Sequence, residues 1–346
     1  MTVDLLDTST AVAHLAQRGL IGTNRKVIVT ELGGGISNVV LLAVAGEDRL
    51  IVKQSLPELK VADKWTATTE RTIHEGRALE LIGARWPGDV PKVRDLDEQR
   101  HILVIQAADP SWTNWKDVLM VGQVRPAIGA VLGDRLARWH SSIPAEEVLL
   151  AGLDDPQAFD QLRIDPYYRA TAQALPGWTE VLNAHAADLG HRLCLVHGDF
   201  SPKNILVGPE SRCWVIDFEV AHLGNPVFDV AFLITHLVLK SVHNPGRALA
   251  FASTAYQFLS AYTSGTSRPA FSDKQLVGHV GCLLLARVAG KSPAEYLDAD
   301  QRRTTLQLAE HLLTGGSQRV GDLWQHSALA SPPPGRNAAA EGRNNR

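Results

Sequence analysis

The sequence predicts an α+β fold in two parts, and three observations predict it. Short runs of β-branched and apolar residues, separated by turn formers, fill most of the first 105 residues. One long helical pattern interrupts them. Beyond residue 106 helical periodicity takes over. The composition switch divides the chain into a strand-rich unit, residues 1–105, and a mainly helical unit, residues 106–330.

Within the first unit, residues 1–24 read as a leading helix. Strands follow at 26–30, 39–44 and 50–53, in an antiparallel meander whose first turn is Gly33-Gly34-Gly35. A helix is predicted over Asp63 to Gly83, then short strands at 91–93 and 101–105. Helices are predicted at 124–143, 178–191, 226–240, 248–262, 274–289 and 299–313. The last stretch, 331–346, is rich in Pro, Gly, Asn and Ala and reads as a disordered tail.

Composition narrows the function. With 34 Lys+Arg against 37 Asp+Glu, the net charge of −3 offers no general attraction to nucleic acid or an anionic membrane. Three scattered cysteines make neither a disulfide framework nor a Cys-rich zinc site, and suggest a reducing compartment. The N-terminus lacks the apolar core of a signal peptide, and the most apolar stretch, 228–242, contains His236 and Lys240. A cytoplasmic protein without a membrane partner is expected. The sequence leaves the oligomeric state open.

The most informative segment is HGDFSPKNILVGPESRCWVIDFE, residues 197–219. Two short strands flank the turn at 208–212. Antiparallel pairing brings the start of one beside the end of the other, so Asn204 and Asp217 become neighbours. An amide oxygen beside a carboxylate suits a hard cation such as Mg²⁺. Asp199 reaches the same place from the preceding loop. One carboxylate can then orient or deprotonate a hydroxyl while the other holds metal. The order H-x-D-x-x-x-x-N followed by D-F matches the catalytic loop of phosphoryl transfer.

HGDFSPKN, VIDFE and HLGNPVFDVAFL together resemble the aminoglycoside phosphotransferase-like family of small-molecule kinases, over residues ~25 to ~315. The resemblance implies a two-lobed protein-kinase-like fold, with ATP between the lobes, Mg²⁺ below its phosphates and a small-molecule hydroxyl as acceptor. It implies Asp199 as catalytic base and Asn204 and Asp217 as Mg²⁺ ligands. It implies His197 as the structural histidine of the loop, and Asp229 as the residue that braces it. Glu219 replaces the glycine of the protein-kinase triplet, and we count it with the metal ligands. Ser201 replaces a basic residue. Lys203 reads as a solvated loop lysine.

The same template assigns the nucleotide end. The turn Gly33, Gly34, Gly35 with Ser37 lies over phosphates, and Lys53 contacts them while paired to a helix glutamate. Glu75 is that glutamate, because it shares a helix face with Leu79 and Ile82, whereas Glu70 and Glu80 face water. Gln106 to Ala108 forms the hinge that meets adenine. Ala289-Gly290-Lys291-Ser292 imitates a P-loop but lacks its first glycine, and Arg287 beside it reads as a helix-end residue. The acidic stretch 146–165 reads as solvated surface.

The acceptor remains open among aminoglycosides, sugars (including methylthioribose) and amino alcohols. Two alternatives stand against a small-molecule kinase. A nucleotide-sensing pseudokinase would lack one of the catalytic groups, and none is missing. A protein kinase needs a long activation segment, and Gly224-Asn225-Pro226 follows Asp217 too closely for one.

Overall fold

A computed structural model describes residues 5–22, 26–33, 38–56, 68–266 and 270–325. Helix α1 is Thr8–Gln17, shorter than the leading helix expected over 1–24. Asp7 caps it by accepting the Ser9 and Thr10 amides, and Gly19, at φ +69°, breaks the chain away. Strands β1 (Ile28–Glu31), β2 (Asn38–Ala45), β3 (Asp48–Ser55), β4 (Val93–Asp97) and β5 (Ile102–Gln106) form an antiparallel sheet ordered β1-β2-β3-β5-β4.

Strand parity sorts this sheet into two faces. Val39, Leu41, Ala43, Leu50 and Val52 pack with Ala11 and Leu15 of α1. The alternate residues Val40, Leu42, Ile51 and Lys53 face a cavity on the other side. Lys53 is thus aimed inward by its place in the alternation.

Helix α2 is Arg71–Gly83. Of the helix expected from Asp63, residues 63–67 lie outside the described residues, and 68–70 form a turn in which the Thr68 hydroxyl bonds the Glu70 carboxylate. That local bond competes with the helical ladder and delays its start. Glu75, Leu79 and Ile82 are buried, while Glu70 and Glu80 are exposed, as the helical period requires.

After β5 come β6 (Thr113–Asn114), α3 (Trp115–Met120), α4 (Ala127–Ser142), α5 (Ala145–Leu150) and α6 (Gln157–Phe159). The chain then runs as a π-helix over Asp160–Arg169, with Pro166 inside it, and continues into α7 (Ala170–Ala174) and α8 (Thr179–Asp188). Proline lacks the amide an α-helical ladder would need, and a wider turn relieves the clash. The sequence reading left this segment unassigned.

Strands β7 (Cys194–Val196), β8 (Ile205–Val207), β9 (Cys213–Val215) and β10 (His222–Gly224) flank the HGDFSPKN and VIDFE segments, and β8 pairs with β9 as expected. Helices α9 (Val227–His243), α10 (Ala248–Gly265), α11 (Asp273–Ala289) and α12 (Ala299–Leu313) lie within three residues of their predicted bounds. α9 is buried along nearly its whole length, which makes it the axis of this region. α4 and α10 approach closely because Gly129 and Gly133 carry no Cβ; one at 133 would lie 2.2 Å from the Phe258 carbonyl oxygen. Among the described residues no helix is long and apolar enough to cross a membrane.

Candidate active site

A cavity of about 760 Å³ lies between the five-stranded sheet and the β8–β9 hairpin. Val40, Leu42, Ile51, Ile105, Leu206 and Ile216 give it an apolar slot, and Gln106, Ala107 and Ala108 line its back edge. A flat aromatic ring can be buried there with its polar edge toward the backbone. Of the glycine turn, Gly33 lines the cavity, while Gly34, Gly35 and Ser37 lie outside the described residues.

Lys53 Nζ donates to Glu75 Oε1 at 2.7 Å and to Asp217 Oδ1 at 2.7 Å. Burial works to lower the Lys53 pKa, but Asp217 and Glu75 outweigh it and the net shift is upward. The ammonium stays charged inside the cavity. Asp217 sits at φ +71°, a left-handed conformation that costs a non-glycine residue about 1–3 kcal/mol and clusters at functional sites. Burial would raise its pKa; Lys53, then Lys203, hold it below the usual carboxylate range.

The hairpin register opposes Ile205 to Val215, and Ile216 N–H donates to the Asn204 carbonyl at 2.9 Å. Asp217 is therefore one residue beyond Asn204's direct partner. Asn204 Nδ2 donates to the Asp199 carbonyl (3.0 Å) and to Asp199 Oδ2 (2.9 Å), which turns its amide oxygen away from Asp199. Among the described residues no group of three or more His, Cys, Asp or Glu is placed to hold a metal. A carboxylate, an amide oxygen and space for phosphate fit Mg²⁺, which takes one or two carboxylates and completes its shell from phosphate and water.

Asp199 is 2% exposed. Its Oδ2 meets Arg163 Nη2 at 2.7 Å and Lys203 Nζ at 2.9 Å, besides Asn204. Three donors on one oxygen leave Oδ1 as the oxygen for another partner. Burial would raise the Asp199 pKa, but Arg163 and then Lys203 outweigh it, so the group stays ionised. Lys203 is thus not simply the solvated loop lysine expected: its side chain is half exposed, but its ammonium holds Asp199. Arg163 was missed altogether. It comes from the π-helical segment, and its Nε also donates to the Gly198 carbonyl at 2.9 Å.

The loop is held from below. Asp229 Oδ2 and Oδ1 accept the amides of His197 (2.7 Å) and Gly198 (2.8 Å), and His140 Nε2 lies 3.3 Å from Oδ2. His197 Nδ1 accepts the Asp199 amide at 3.1 Å, so its Nε2 donates to the Ile216 carbonyl at 3.0 Å. One neutral imidazole, its pKa lowered chiefly by burial, ties the residue before Asp217 to the amide of Asp199. Gly198, at φ +75°, has no alternative here, because a Cβ would lie 2.7 Å from the Val220 carbonyl oxygen.

Glu219 has other partners than the metal site expected of it. Its Oε2 accepts from Arg71 Nη1 at 3.1 Å and Asn38 Nδ2 at 3.0 Å. Arg71, fully buried, also donates to the carbonyls of Leu56 and Thr68. This contact joins the start of α2 and the first residue of β2 to the segment after Asp217. Neither Arg71 nor Asn38 carried a signal in the sequence, since each is defined only by partners far along the chain.

Comparison with known proteins agrees with this geometry. The model of the phosphotransferase enzyme family (APH) matches residues 28–262. A methylthioribose kinase of Bacillus cereus is 26% identical, over 90% of this chain and 91% of its own length. In fold, the chain is similar to a macrolide 2'-phosphotransferase from Brachybacterium faecium, with a TM-score of 0.53, 21% identity and coverage of 90% of this chain and 100% of that one. It is also similar to a choline/ethanolamine kinase family protein from Mesorhizobium loti, with a TM-score of 0.53, 18% identity and coverage of 92% and 99%. These folds share the antiparallel sheet followed by a helical region, and the family match spans both the Lys53 strand and the whole Asp199–Asp229 segment. The chain belongs to the phosphotransferase enzyme family.

Proposed function

We propose that this protein is an ATP- and Mg²⁺-dependent kinase that transfers the γ-phosphoryl group to a hydroxyl of a small molecule. The nucleotide would lie between a lobe of residues 1–105 and a lobe of residues 106–330. The observation that carries the reading is that Lys53, Asn204 and Asp217 line one cavity, with Glu75 bonded to Lys53 and Asp199 bonded to Asn204. The family match and the kinase relatives support the same chemistry.

Each residue then has a task. Lys53, kept charged by two carboxylates, presents positive charge to the nucleotide phosphates. Asp217 and the Asn204 amide oxygen would hold Mg²⁺, which supplies further neutralising charge when bound. Asp199 Oδ1 receives the acceptor hydroxyl and its proton, while Oδ2 is fixed by three donors. His197 and Asp229 keep the loop in register. ADP release with MgATP, measured across aminoglycosides, sugars, methylthioribose, choline and homoserine, tests the reading. Acceptor-dependent release is expected; tight nucleotide binding with no release on any acceptor points to a sensor instead.

Two substitutions test the supporting residues. Arg163→Gln removes the strongest clamp on Asp199 and lowers kcat by about tenfold to a hundredfold, with KM for ATP little changed; steady-state kinetics reads the split. Glu219 we assign to bracing, not to metal. Glu219→Gln leaves the Mg²⁺ concentration for half-maximal rate within about twofold of wild type, yet removes the charge from one partner of the buried Arg71, at about 2 kcal/mol. A melting curve and a Mg²⁺ titration on the same preparation separate the two roles.

A further inference from the structure

The segment Ala289-Gly290-Lys291-Ser292, which only imitates a P-loop, has a place at the cavity. It leaves the end of α11 and docks on the π-helical segment. Lys291 N–H donates to the Pro166 carbonyl at 3.1 Å, and Lys291 Nζ meets Asp165 Oδ2 at 2.7 Å. Gly290 permits the approach, because a Cβ there would lie 2.8 Å from that same carbonyl oxygen. The two segments form one wall, and Tyr167 and Ser292 of this wall line the cavity.

The wall adjoins Asp199. Arg163, whose Nη2 lies 2.7 Å from Asp199 Oδ2, stands one turn before Tyr167 on the π-helical segment and lines the same cavity. Arg287 Nη1 donates to the Tyr167 hydroxyl at 3.3 Å, to the Ser292 hydroxyl at 2.9 Å and to the Ser292 carbonyl. Both hydroxyl oxygens therefore accept, and each keeps a hydrogen of its own. A bond between the two side chains uses one of these hydrogens. The other finds no acceptor among the described residues. Tyr167 is only 7% exposed, and a buried donor is rarely left without a partner. The space this pair borders is the cavity. Burial would raise the Tyr167 pKa, but Arg287 and then Arg163 outweigh it, which makes the hydroxyl a stronger donor.

The charge around the wall does not suit a polycation. Arg163 and Lys203 line the cavity here and share Asp199, and Arg287 stands behind the hydroxyl pair. Asp165, the carboxylate on the wall itself, is taken by Lys291. On the rim, Asp117 is offset by Lys116.

We propose that Tyr167 and Ser292 are specificity-determining residues: their hydroxyl pair donates a hydrogen bond to a second oxygen of the acceptor while the reacting hydroxyl meets Asp199. The acceptor is then an uncharged polyol, not a monohydroxy amino alcohol. This deepens the kinase reading and rests on it.

Two measurements test the assignment. The first is ADP release with MgATP on acceptors matched in skeleton: glycerol against propan-1-ol, and ribose against cyclopentylmethanol. The polyol should show kcat/KM higher by about ten- to a hundredfold. Tyr167→Phe and Ser292→Ala should each lower that ratio by about tenfold. A ratio of one in the wild type, or a ratio that both variants leave intact, overturns the proposal and leaves the kinase standing. Choline turned over as well as glycerol overturns it too.

The second measurement is ribose binding to the ADP-saturated protein, followed by ligand-observed NMR. Binding should weaken about tenfold in both variants. If no acceptor is turned over, weakened binding in the variants keeps the subsite and sinks the kinase. Binding that both variants leave unchanged sinks the subsite, and the absence of both binding and turnover sinks both. Each variant removes one hydroxyl and is expected to melt within about 2–4 °C of wild type. Should Tyr167→Phe fail to fold, Ser292→Ala carries the test.

Discussion

Asp199→Asn lowers kcat by about 10²- to 10⁴-fold, the contribution of a positioned general base, and leaves the fold and MgATP affinity in place. The contrast follows from how the two carboxylate oxygens are used. Oδ2 accepts from Arg163, Lys203 and Asn204. An asparagine keeps one oxygen, and that oxygen can stay with the three donors. What faces the acceptor is then an NH₂ group, which cannot take a proton. The loss of charge beside Arg163 is tolerated, because its guanidinium keeps the carbonyls of Gly198 and Leu162. Lys203 is half exposed and finds water. Single-turnover kinetics with a saturating acceptor, read beside circular dichroism and MgATP titration, checks all three expectations. Full activity in the variant would remove Asp199 from the proton transfer.

Legibility in the sequence followed the range of the interaction. Lys53 was assigned through the kinase template, and the alternation along β3 then turns it to the cavity. Glu75 was readable from the helix face it shares with Leu79 and Ile82. Asn204 and Asp217 could be placed together because one short hairpin joins them. Arg163 was not readable. It reaches Asp199 from a π-helical turn, and the periodicity test for α-helix is blind to that geometry. Arg71 and Asn38 meet Glu219 across 148 and 181 residues, so only the tertiary fold defines them. The same contacts support the bracing role we propose for Glu219: a Glu two residues after Asp217 reads as a metal ligand until its guanidinium partner is known.

The loop that carries Asp199 is held in place by a residue that does not line the cavity. Asp229 is fully buried, and its two oxygens accept consecutive amides, His197 and Gly198, just before Asp199. Asp229→Ala removes the acceptor of both N–H groups and leaves His140 with the Tyr262 hydroxyl alone of its two partners. The cost is about 3–5 kcal/mol, which lowers the melting temperature by roughly 4–7 °C. The pH dependence carries the sign of the interaction. Burial would raise the Asp229 pKa, but the hydrogen bond and charge of His140, with His197, lower it. A carboxyl depressed in the folded state contributes stability above its unfolded pKa and loses it as pH falls through the folded value. Wild type should therefore lose stability faster than Asp229→Ala as pH falls below about 4. Melting temperatures of both proteins from pH 7 down to pH 3 measure this directly, and parallel curves would show that the bond to the loop amides owes nothing to the charge.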